Sequence, residues 1–559
     1  MNFISRRNRS LLALSVLALV FTASACTTTE TVEVDRPNFN PPPDSVGGFL
    51  GLYTVSTNQT TCGNCHINNQ TEWSGTAHAD AYAGLVSNVP NAPADCFKCH
   101  TVSQLGNTFA ATGKPGGWNA VPDSVYHNVQ CESCHGPGVT HVTNPNSTNI
   151  PLASALIPWK NAAGAVVGGP AEQGCSACHS DSHHPFAEQW AASSHATLRA
   201  DAGGPAETPT SCGAACHRGD AAMAKLSGNA PTNYIGKGTA FPITCAVCHD
   251  PHADTESGQL RAPIESTEPT ANLCTQCHIR SAVATPSFTI TSRGAHASQG
   301  AVYFGEGAGW IPPGFVFDPN NPVQTSHVTA NQRLCAGCHV AKFTTTDAST
   351  GQAFTSVGHL FSPNPCKDPV TGIPVGKNEP GGDCAYTATT RFWTGCVNAG
   401  CHADENAAAN LFNGTRAEVD VLIDILWIDD GDAVLEVTDG GLLPRVLAQN
   451  PSTTVPATDS AFYCCTGTVK DNNLSVAEGA LFNARMLAEN LYAHNDGSKG
   501  IHNPALYKGL VAGSINAVRA RYNLLTVLSP SQEAVIQKAL SAPGIKYTPP
   551  AVLRQTAAR

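Results

Sequence analysis

The sequence predicts a mainly α-helical fold with extensive irregular loops and a helical cap at the C-terminal end. The first observation is composition: of 559 residues, 50 are Gly and 39 are Pro, whereas only 13% are charged and 7% are aromatic. The second is that most of the 23 Cys and many of the 21 His recur in short motifs as far as His402, and helical patterning follows. Because such a chain has few large apolar side chains, something else must fill its interior.

Seven segments share the pattern Cys-x-x-Cys-His, which is the attachment signature of haem c. The two thiols bond covalently to the porphyrin, and the His binds the iron from one face. Each covalent haem would supply a large apolar body for short loops to pack around. The predicted thioether cysteines are Cys62, Cys65, Cys96, Cys99, Cys131, Cys134, Cys175, Cys178, Cys245, Cys248, Cys274, Cys277, Cys335 and Cys338, and the predicted proximal ligands are His66, His100, His135, His179, His249, His278 and His339.

Two further segments have the same motif with more residues between the cysteines. They are Cys212/Cys216/His217, with three intervening residues, and Cys396/Cys401/His402, with four. We predict that both bind haem c in the same way, which brings the total to about nine. The alternative is that their cysteines form disulfides and the two His are incidental.

Zinc sites or a disulfide framework could also require this many cysteines. Structural zinc takes closed sets of four Cys or His ligands, typically from paired motifs, whereas here each Cys pair is followed directly by its own His. A disulfide framework would suit an oxidising compartment but gives no reason for the His. Nine motifs use 18 of the 23 cysteines and leave Cys26, Cys366, Cys384, Cys464 and Cys465. The last four could form two disulfides, in any of three connectivities.

The first six motifs form two related triplets, which indicates duplication of a haem-packing unit. Both triplets contain Trp-x4-His-Ala before the second motif, and a further His follows each third motif. This repeat is the reason for assigning haem to the expanded motif at Cys212. The aligned positions, offset by 113 to 117 residues, are Cys62, His78, Cys96 and Cys131 in the first triplet and Cys175, His195, Cys212 and Cys245 in the second.

Each haem iron needs a second axial ligand, and the composition favours His for this role. Only three Met are present, and Met1 lies in the N-terminal segment, whereas twelve His lie outside the motifs. Ligation by two His gives low reduction potentials compared with Met/His ligation. The predicted distal ligands are His78, His127, His141, His195, His252, His296, His327, His359 and His502.

The first 25 residues have the features of a signal peptide. Three arginines lie between residues 6 and 9, residues 11–20 are apolar, and small residues precede Cys26. We predict export, cleavage before Cys26 and lipidation of that thiol, which would place the protein at the outer membrane, on its periplasmic face or at the cell surface. Secretion without a lipid is the alternative. No later segment has 18 uninterrupted apolar residues, so no membrane-spanning helix is predicted in the mature chain.

Four regions are predicted after the signal peptide. Residues 26–48 would form a tether, 49–260 two repeated three-haem units, 261–405 a third three-haem unit, and 406–559 the helical C-terminal region. Within the last region, residues 417–428 are strongly apolar. Residues 475–492 and 504–522 have the periodicity of amphipathic helices.

The motif set resembles the multihaem c-type cytochrome superfamily. The similar segments are Trp-x4-His-Ala, Cys131-Glu-Ser-Cys-His-Gly-Pro-Gly with His141, Cys245-Ala-Val-Cys-His-Asp-Pro-His252 and Gly-His359-Leu-Phe. Within the superfamily the chain is most similar to the decahaem electron conduits of metal-reducing bacteria and to octahaem and larger extracellular cytochromes, which implies electron transfer. Gly500-Ile-His502-Asn-Pro is similar to the distal-ligand helix of multihaem nitrite reductases, but their Cys-x-x-Cys-Lys motif is absent.

We therefore expect electron transfer through about nine haems, mostly with two His ligands, to other redox proteins or an extracellular acceptor. A net charge of −11 without a basic stripe argues against nucleic acid as a partner. One alternative is a multihaem redox enzyme that reduces nitrite, hydroxylamine or a sulfur oxyanion at an iron with an open position. Another is a homo-oligomer or filament of cytochromes that shares ligands or haem contacts between copies. The supply of His favours an electron carrier over an enzyme.

Overall fold

The structure is a computed structural model, and it is mainly helical, as predicted: helices make up 43% of it, and strands are few and short. The signal peptide, the tether as far as residue 45, Cys26, Cys212, Cys464 and Cys465 lie outside the described residues. The structure describes residues 46–556 except for 108, 110–114, 154–158, 161–165, 168–173, 182–184, 199–213, 232–239, 281, 287, 289–293, 306, 318–322, 324, 378, 433, 450–461, 463–473, 488–495 and 526–527.

The described part of residues 46–403 consists of short helices joined by irregular segments. Many of these helices are single turns that contain an attachment motif, and they are separated by turns rich in Gly and Pro. The α-helices are Ile67–Trp73, Ala81–Asn88, Cys96–His100, Cys131–His135, Val139–Thr143, Phe186–Ala191, Ala214–His217, Gly219–Leu226, Cys245–Cys248, Gln299–Phe304, Ser326–Ala330, Leu334–His339 and Thr394–Val397.

Five two-stranded antiparallel pairs are described, and none is part of a larger sheet among the described residues. Two to four residues per strand are too few to form an independent core, so these pairs only fix the local path of the chain. The pairs are Leu52–Thr54 with Gln59–Thr60, Trp159–Lys160 with Val166–Val167, Phe315–Phe317 with Ile545–Tyr547, Phe343–Thr346 with Ala353–Ser356, and Cys366–Lys367 with Pro374–Val375.

The C-terminal region contains the long helices α1 (Glu405–Leu426), α2 (Val476–Leu487), α3 (Pro504–Arg521) and α4 (Pro530–Leu540). Helix α3 is central and packs against the other three. Two shorter helices, Leu442–Gln449 and Ala551–Thr556, complete the region. The predicted helix at 504–522 therefore corresponds to α3, and α2 covers the described part of the predicted helix at 475–492.

Local sequence sets where the long helices begin. Asp404 accepts a hydrogen bond from the Ala407 N–H at 2.8 Å and so caps α1. Asn503 caps α3 by accepting from the Leu506 N–H at 3.2 Å, and Pro504 occupies the first turn, where no amide hydrogen is needed.

One large apolar core joins the C-terminal helices to the segment that precedes them. It contains residues of all four long helices together with Ala282, Phe288, Val302 and Phe315. The strand pair Phe315–Phe317 with Ile545–Tyr547 connects the same two parts of the chain. The core residues between Ala282 and Val323 thus pack with the C-terminal helices, across the predicted boundary at residues 405 and 406.

Cys366 and Cys384 form a disulfide with an S–S distance of 2.07 Å. The sequence left three connectivities open for the spare cysteines, and the structure selects this pair among the described ones. None of the described helices combines the length and the hydropathy needed to cross a membrane.

Candidate haem attachment sites

We number the attachment motifs as sites 1 to 9 in chain order of their first cysteine. In eight of them the described residues form a helical turn, either α-helical or 3₁₀. Residues three apart on a helix lie on the same face, so a turn of Cys-x-x-Cys presents both thiols on one side. At site 5, Cys216 and His217 are described and Cys212 is not.

Site 9 accommodates its longer spacing by looping out residues between the two thiols. Cys396 lies in the helix Thr394–Val397, and a separate 3₁₀ turn, Asn398–Gly400, leads to Cys401. Gly400 has a φ of 74°, a backbone conformation that Gly adopts without strain. Burial raises the pKa of Cys396 to about 11, and the charge of Cys401 contributes to the rise.

The structure brings seven of the nine motif His close to a second His. Metal–nitrogen bonds are about 2 Å long and an imidazole nitrogen lies about 1 Å from its ring centre, so two imidazoles on opposite sides of one metal have ring centres roughly 6 Å apart. The seven ring-centre distances are 6.0 to 6.4 Å. The pairs are His78–His179, His135–His252, His195–His278, His217–His296, His249–His359, His327–His402 and His339–His502.

Two of the predicted distal residues and two of the motif His are not brought together in this way. His127 stacks on Tyr82 with ring centres 3.5 Å apart, and His141 Nδ1 lies 3.1 Å from Asn149 Oδ1. Among the described residues, no second His ring lies at the paired distance from His66 of site 1 or His100 of site 2. His127 and His141 as distal ligands therefore stay predictions.

The two triplets use equivalent residues in equivalent ways. The indole Nε1 of Trp73 donates to the carbonyl of Val129 at 2.9 Å, and Trp190 donates to the carbonyl of Ile243 at the same distance. Each acceptor lies two residues before the third motif of its triplet. The Trp-x4-His-Ala segment is thus fixed against that motif in both units.

His78 and His195 occupy the same position in the repeat, and their partners correspond as well. His78 pairs with His179, the His of the first motif in the second triplet, and His195 pairs with His278, the His of the first motif in the third group. Each of the first two units therefore supplies an imidazole to the next unit along the chain.

Burial keeps several of the paired imidazoles neutral, which is the form that binds a metal. Burial lowers the pKa of His195 to about 4 and that of His339 to about 4. Burial also lowers the pKa of His78, His249 and His327 below the ordinary value.

Thiols of neighbouring sites lie near enough to alter each other's pKa, which links the described attachment sites in one series. These contacts join sites 1 and 3 (Cys62–Cys131), 2 and 4 (Cys99–Cys178), 4 and 6 (Cys175–Cys245), 5 and 7 (Cys216–Cys277), and 7 and 8 (Cys274–Cys335). Electrostatic interactions between thiols further join sites 3 and 4 (Cys134–Cys175), 6 and 7 (Cys248–Cys274), and 8 and 9 (Cys338–Cys396).

A buried carboxyl group in the site 3 motif ties residues 50 and 51 to that site. Glu132 accepts hydrogen bonds from the N–H groups of Leu50 at 2.8 Å, Gly51 at 2.7 Å and Gly138 at 2.7 Å. Burial raises its pKa to about 7 against the lowering effect of these bonds. Glu132 was not predicted from the sequence, because nothing in a sequence distinguishes a buried Glu in a motif spacer from an exposed one.

We expect Glu132→Ala to be strongly destabilising. The change would leave three buried amide donors unpaired, each at a cost of roughly 1–3 kcal/mol, so the free energy of unfolding should fall by about 3 kcal/mol or more. Urea denaturation of the haem-loaded protein, followed by circular dichroism, measures this. Glu132→Gln keeps one side-chain oxygen and should lose less. A loss below about 1 kcal/mol for the alanine variant, typical of a surface position, would contradict this role.

The residues present fit haem c, since paired thiols lie on helical turns and neutral imidazoles face each other at the spacing of two ligands on one iron. The arrangement defines a protein that binds several haems covalently. The family model for cytochrome c554 and c-prime matches residues 61–136, which contain sites 1 to 3, and the model for a doubled CXXCH motif matches residues 242–282, which contain sites 6 and 7.

These two matches indicate a multihaem c-type cytochrome. Its cofactor is haem c and its activity is electron transfer. No curated protein and no solved structure was found to match the chain.

Proposed function

We propose that this protein holds nine haems c, mostly with two His ligands, as a continuous electron relay at the bacterial cell envelope. The single observation that carries the proposal is that motif His and described thiols of successive sites lie beside each other: seven imidazole pairs have ring centres 6.0 to 6.4 Å apart, and thiols of neighbouring sites alter each other's pKa. Haem supplies a reversible one-electron couple at its iron. The protein residues would hold most of the irons with two imidazoles, limit access of water where the sites are buried, and fix the spacing of successive sites.

The contacts imply an order for the sites along the relay. In this order a main path runs through sites 1, 3, 4, 6, 7, 8 and 9, and sites 2 and 5 are side branches at sites 4 and 7. Among the thiols that the structure describes, site 6 connects sites 1 to 4 with the later sites, through Cys175–Cys245 on one side and Cys248–Cys274 on the other.

The N-terminal sequence and the charge of the chain suggest where the relay works. The signal-like segment before Cys26 supports export and anchoring by lipid to the outer membrane, on its periplasmic face or at the cell surface. Partners are then other redox proteins with basic surfaces or an extracellular acceptor. A further possibility within this proposal is that copies of the chain assemble into homo-oligomers or filaments, which would place ligands or haem contacts between copies.

Removing site 6 tests the relay order. The variant Cys245→Ala with Cys248→Ala should lose one haem and lower the electron flux through a monolayer tethered by its N-terminal segment by more than about tenfold, because transfer must then span two site spacings. The matched variant Cys96→Ala with Cys99→Ala removes site 2, a side branch, and should leave the flux nearly unchanged. Equal losses of flux in the two variants would contradict this order.

A further inference from the structure

His502, which is paired with His339, has a carboxylate as the hydrogen-bond partner of its ring, whereas His249 and His359 have backbone carbonyls. His502 donates its Nδ1–H to Asp496 Oδ1 at 2.6 Å, and the Asp496 side chain is fully buried. His249 and His359 of site 6 both have a carbonyl oxygen at Nδ1, at 2.7 and 3.2 Å. Because Nδ1 of His502 is engaged, Nε2 is the nitrogen that faces His339, whose ring centre is 6.1 Å away.

Hydrogen bonds hold the carboxylate and the imidazole in this geometry. Asp496 Oδ2 accepts from both the N–H and the hydroxyl of Ser498, and the His502 N–H donates to that hydroxyl oxygen at 3.2 Å. Asn503 follows directly and donates to the carbonyls of Val302 and Val323 at 3.1 and 2.7 Å. His502 is therefore fixed at the entry of α3, and its ring cannot turn away from Asp496 without breaking this network.

A buried negative charge on an axial ligand alters the redox equilibrium of the iron. Oxidised iron carries one more positive charge than reduced iron, so a nearby anion stabilises the oxidised state, and it does so more strongly where water is excluded. A carboxylate that accepts the other ring N–H also makes the imidazole a more basic ligand. Both effects favour oxidised haem.

We propose that Asp496 is a positioning residue that lowers the reduction potential of site 8 below that of site 6. This inference rests on the proposed ligation of a haem by His339 and His502. Site 8 lies on the main path of the relay between sites 7 and 9, so its potential would set a step that electrons must cross to reach site 9.

A second carboxylate beside a paired His provides a matched control. Asp250 Oδ1 lies 3.5 Å from His252 Nδ1, but Arg261 binds the other oxygen of Asp250 at 2.8 Å. The side chains of His252 and Asp250 are 47% and 29% exposed, so water screens this charge and Arg261 balances it. Removing the charge of Asp250 should therefore change the potential of site 3 much less than removing that of Asp496 changes site 8.

The test is a redox titration of the full-length, haem-loaded protein with Asp496→Asn. One component should move upwards, so that its reduced-to-oxidised ratio at a fixed potential rises about tenfold, or about 59 mV for a one-electron couple. The charge-transfer band in near-infrared magnetic circular dichroism should report a less basic axial imidazole. Asp250→Asn should leave both readouts near the wild type. Cys335→Ala with Cys338→Ala should delete the component that moves in Asp496→Asn and so assign that component to site 8.

Variants of His502 and Asp496 distinguish failure of the proposed ligation from failure of the proposed role of Asp496. If His502→Ala creates no carbon-monoxide-binding haem, the proposed ligation itself fails. If it creates one but Asp496→Asn leaves the titration unchanged, only the role of Asp496 is overturned. If Asp496→Asn itself releases His502, the variant Asp496→Glu, which keeps the carboxylate, tests the role of Asp496. A low-spin Asp496→Glu protein in which the potential of site 8 is as in the wild type supports the role. A low-spin Asp496→Glu protein in which that potential has risen overturns it.

Discussion

Replacing His195 with alanine is expected to add one carbon-monoxide-binding haem per chain and to leave the number of bound haems unchanged. His195 lies outside the attachment motifs, and its ring centre is 6.3 Å from that of His278. The thioether bonds of site 7, at Cys274 and Cys277, do not involve it. Although His195 lies in sequence between sites 4 and 5, loss of its imidazole should therefore open the iron of site 7. The loss should also raise the reduction potential of the haem at site 7.

The difference spectrum of the reduced protein with and without carbon monoxide measures this increment. Phe361→Leu is the control, since it removes a ring 4.5 Å from His195 but keeps the imidazole, and it should add no binding. Combining His195→Ala with Cys274→Ala and Cys277→Ala should abolish the increment. If the increment persists there, a different site has lost its ligand and the pairing with His278 is wrong.

The same spectrum of the wild type tests the enzyme alternative. If the protein is an enzyme, the open iron position is expected at site 1 or site 2. Among the described residues, no second His ring lies at the paired distance from His66 or His100. Reduction of nitrite or hydroxylamine at typical enzyme rates, about 1–10³ s⁻¹, together with binding of carbon monoxide by the wild type, would favour a redox enzyme over a relay.

The fold class and the helical C-terminal region could be predicted because they depend on local sequence. Asn503 and Pro504 mark the start of α3, and the apolar periodicity continues nearly to its observed end at Arg521. The apolar segment at residues 417–428 indicated a helix, but α1 begins earlier, at Glu405. Asp404 caps it there, and the residues that its first turns bury are the small side chains of Ala408 and Ala409, so these turns carry no strong apolar pattern.

Which His faces which motif could not be predicted, because the partners are 75 to 163 residues apart in sequence. The repeat relates His78 to His195, but only the packing of the units shows that each pairs with the first motif of the next unit. Asp496 was missed for a similar reason. A lone Asp in a polar segment is usually a surface residue, and only the fold buries it beside His502.

The haem count is expected to be nine for the wild type and eight for the double variant Cys396→Ala with Cys401→Ala, as measured by intact mass. Site 9 lies at one end of the proposed relay, where Cys338 of site 8 is the thiol that interacts with it. Its removal should therefore leave the other attachment sites intact. His327, 6.4 Å from His402 by ring centres, would lose the iron that it is proposed to bind.

The disulfide cysteines provide the matched control for the loss of two thiols. Cys366→Ala with Cys384→Ala also removes two cysteines from the same part of the chain, but these are bonded to each other, so all nine haems should remain. A wild-type mass that fits seven haems would exclude attachment at both expanded motifs. A mass that fits eight in both the wild type and the site 9 variant would exclude site 9 alone, and His402 would then be an incidental His after two free thiols.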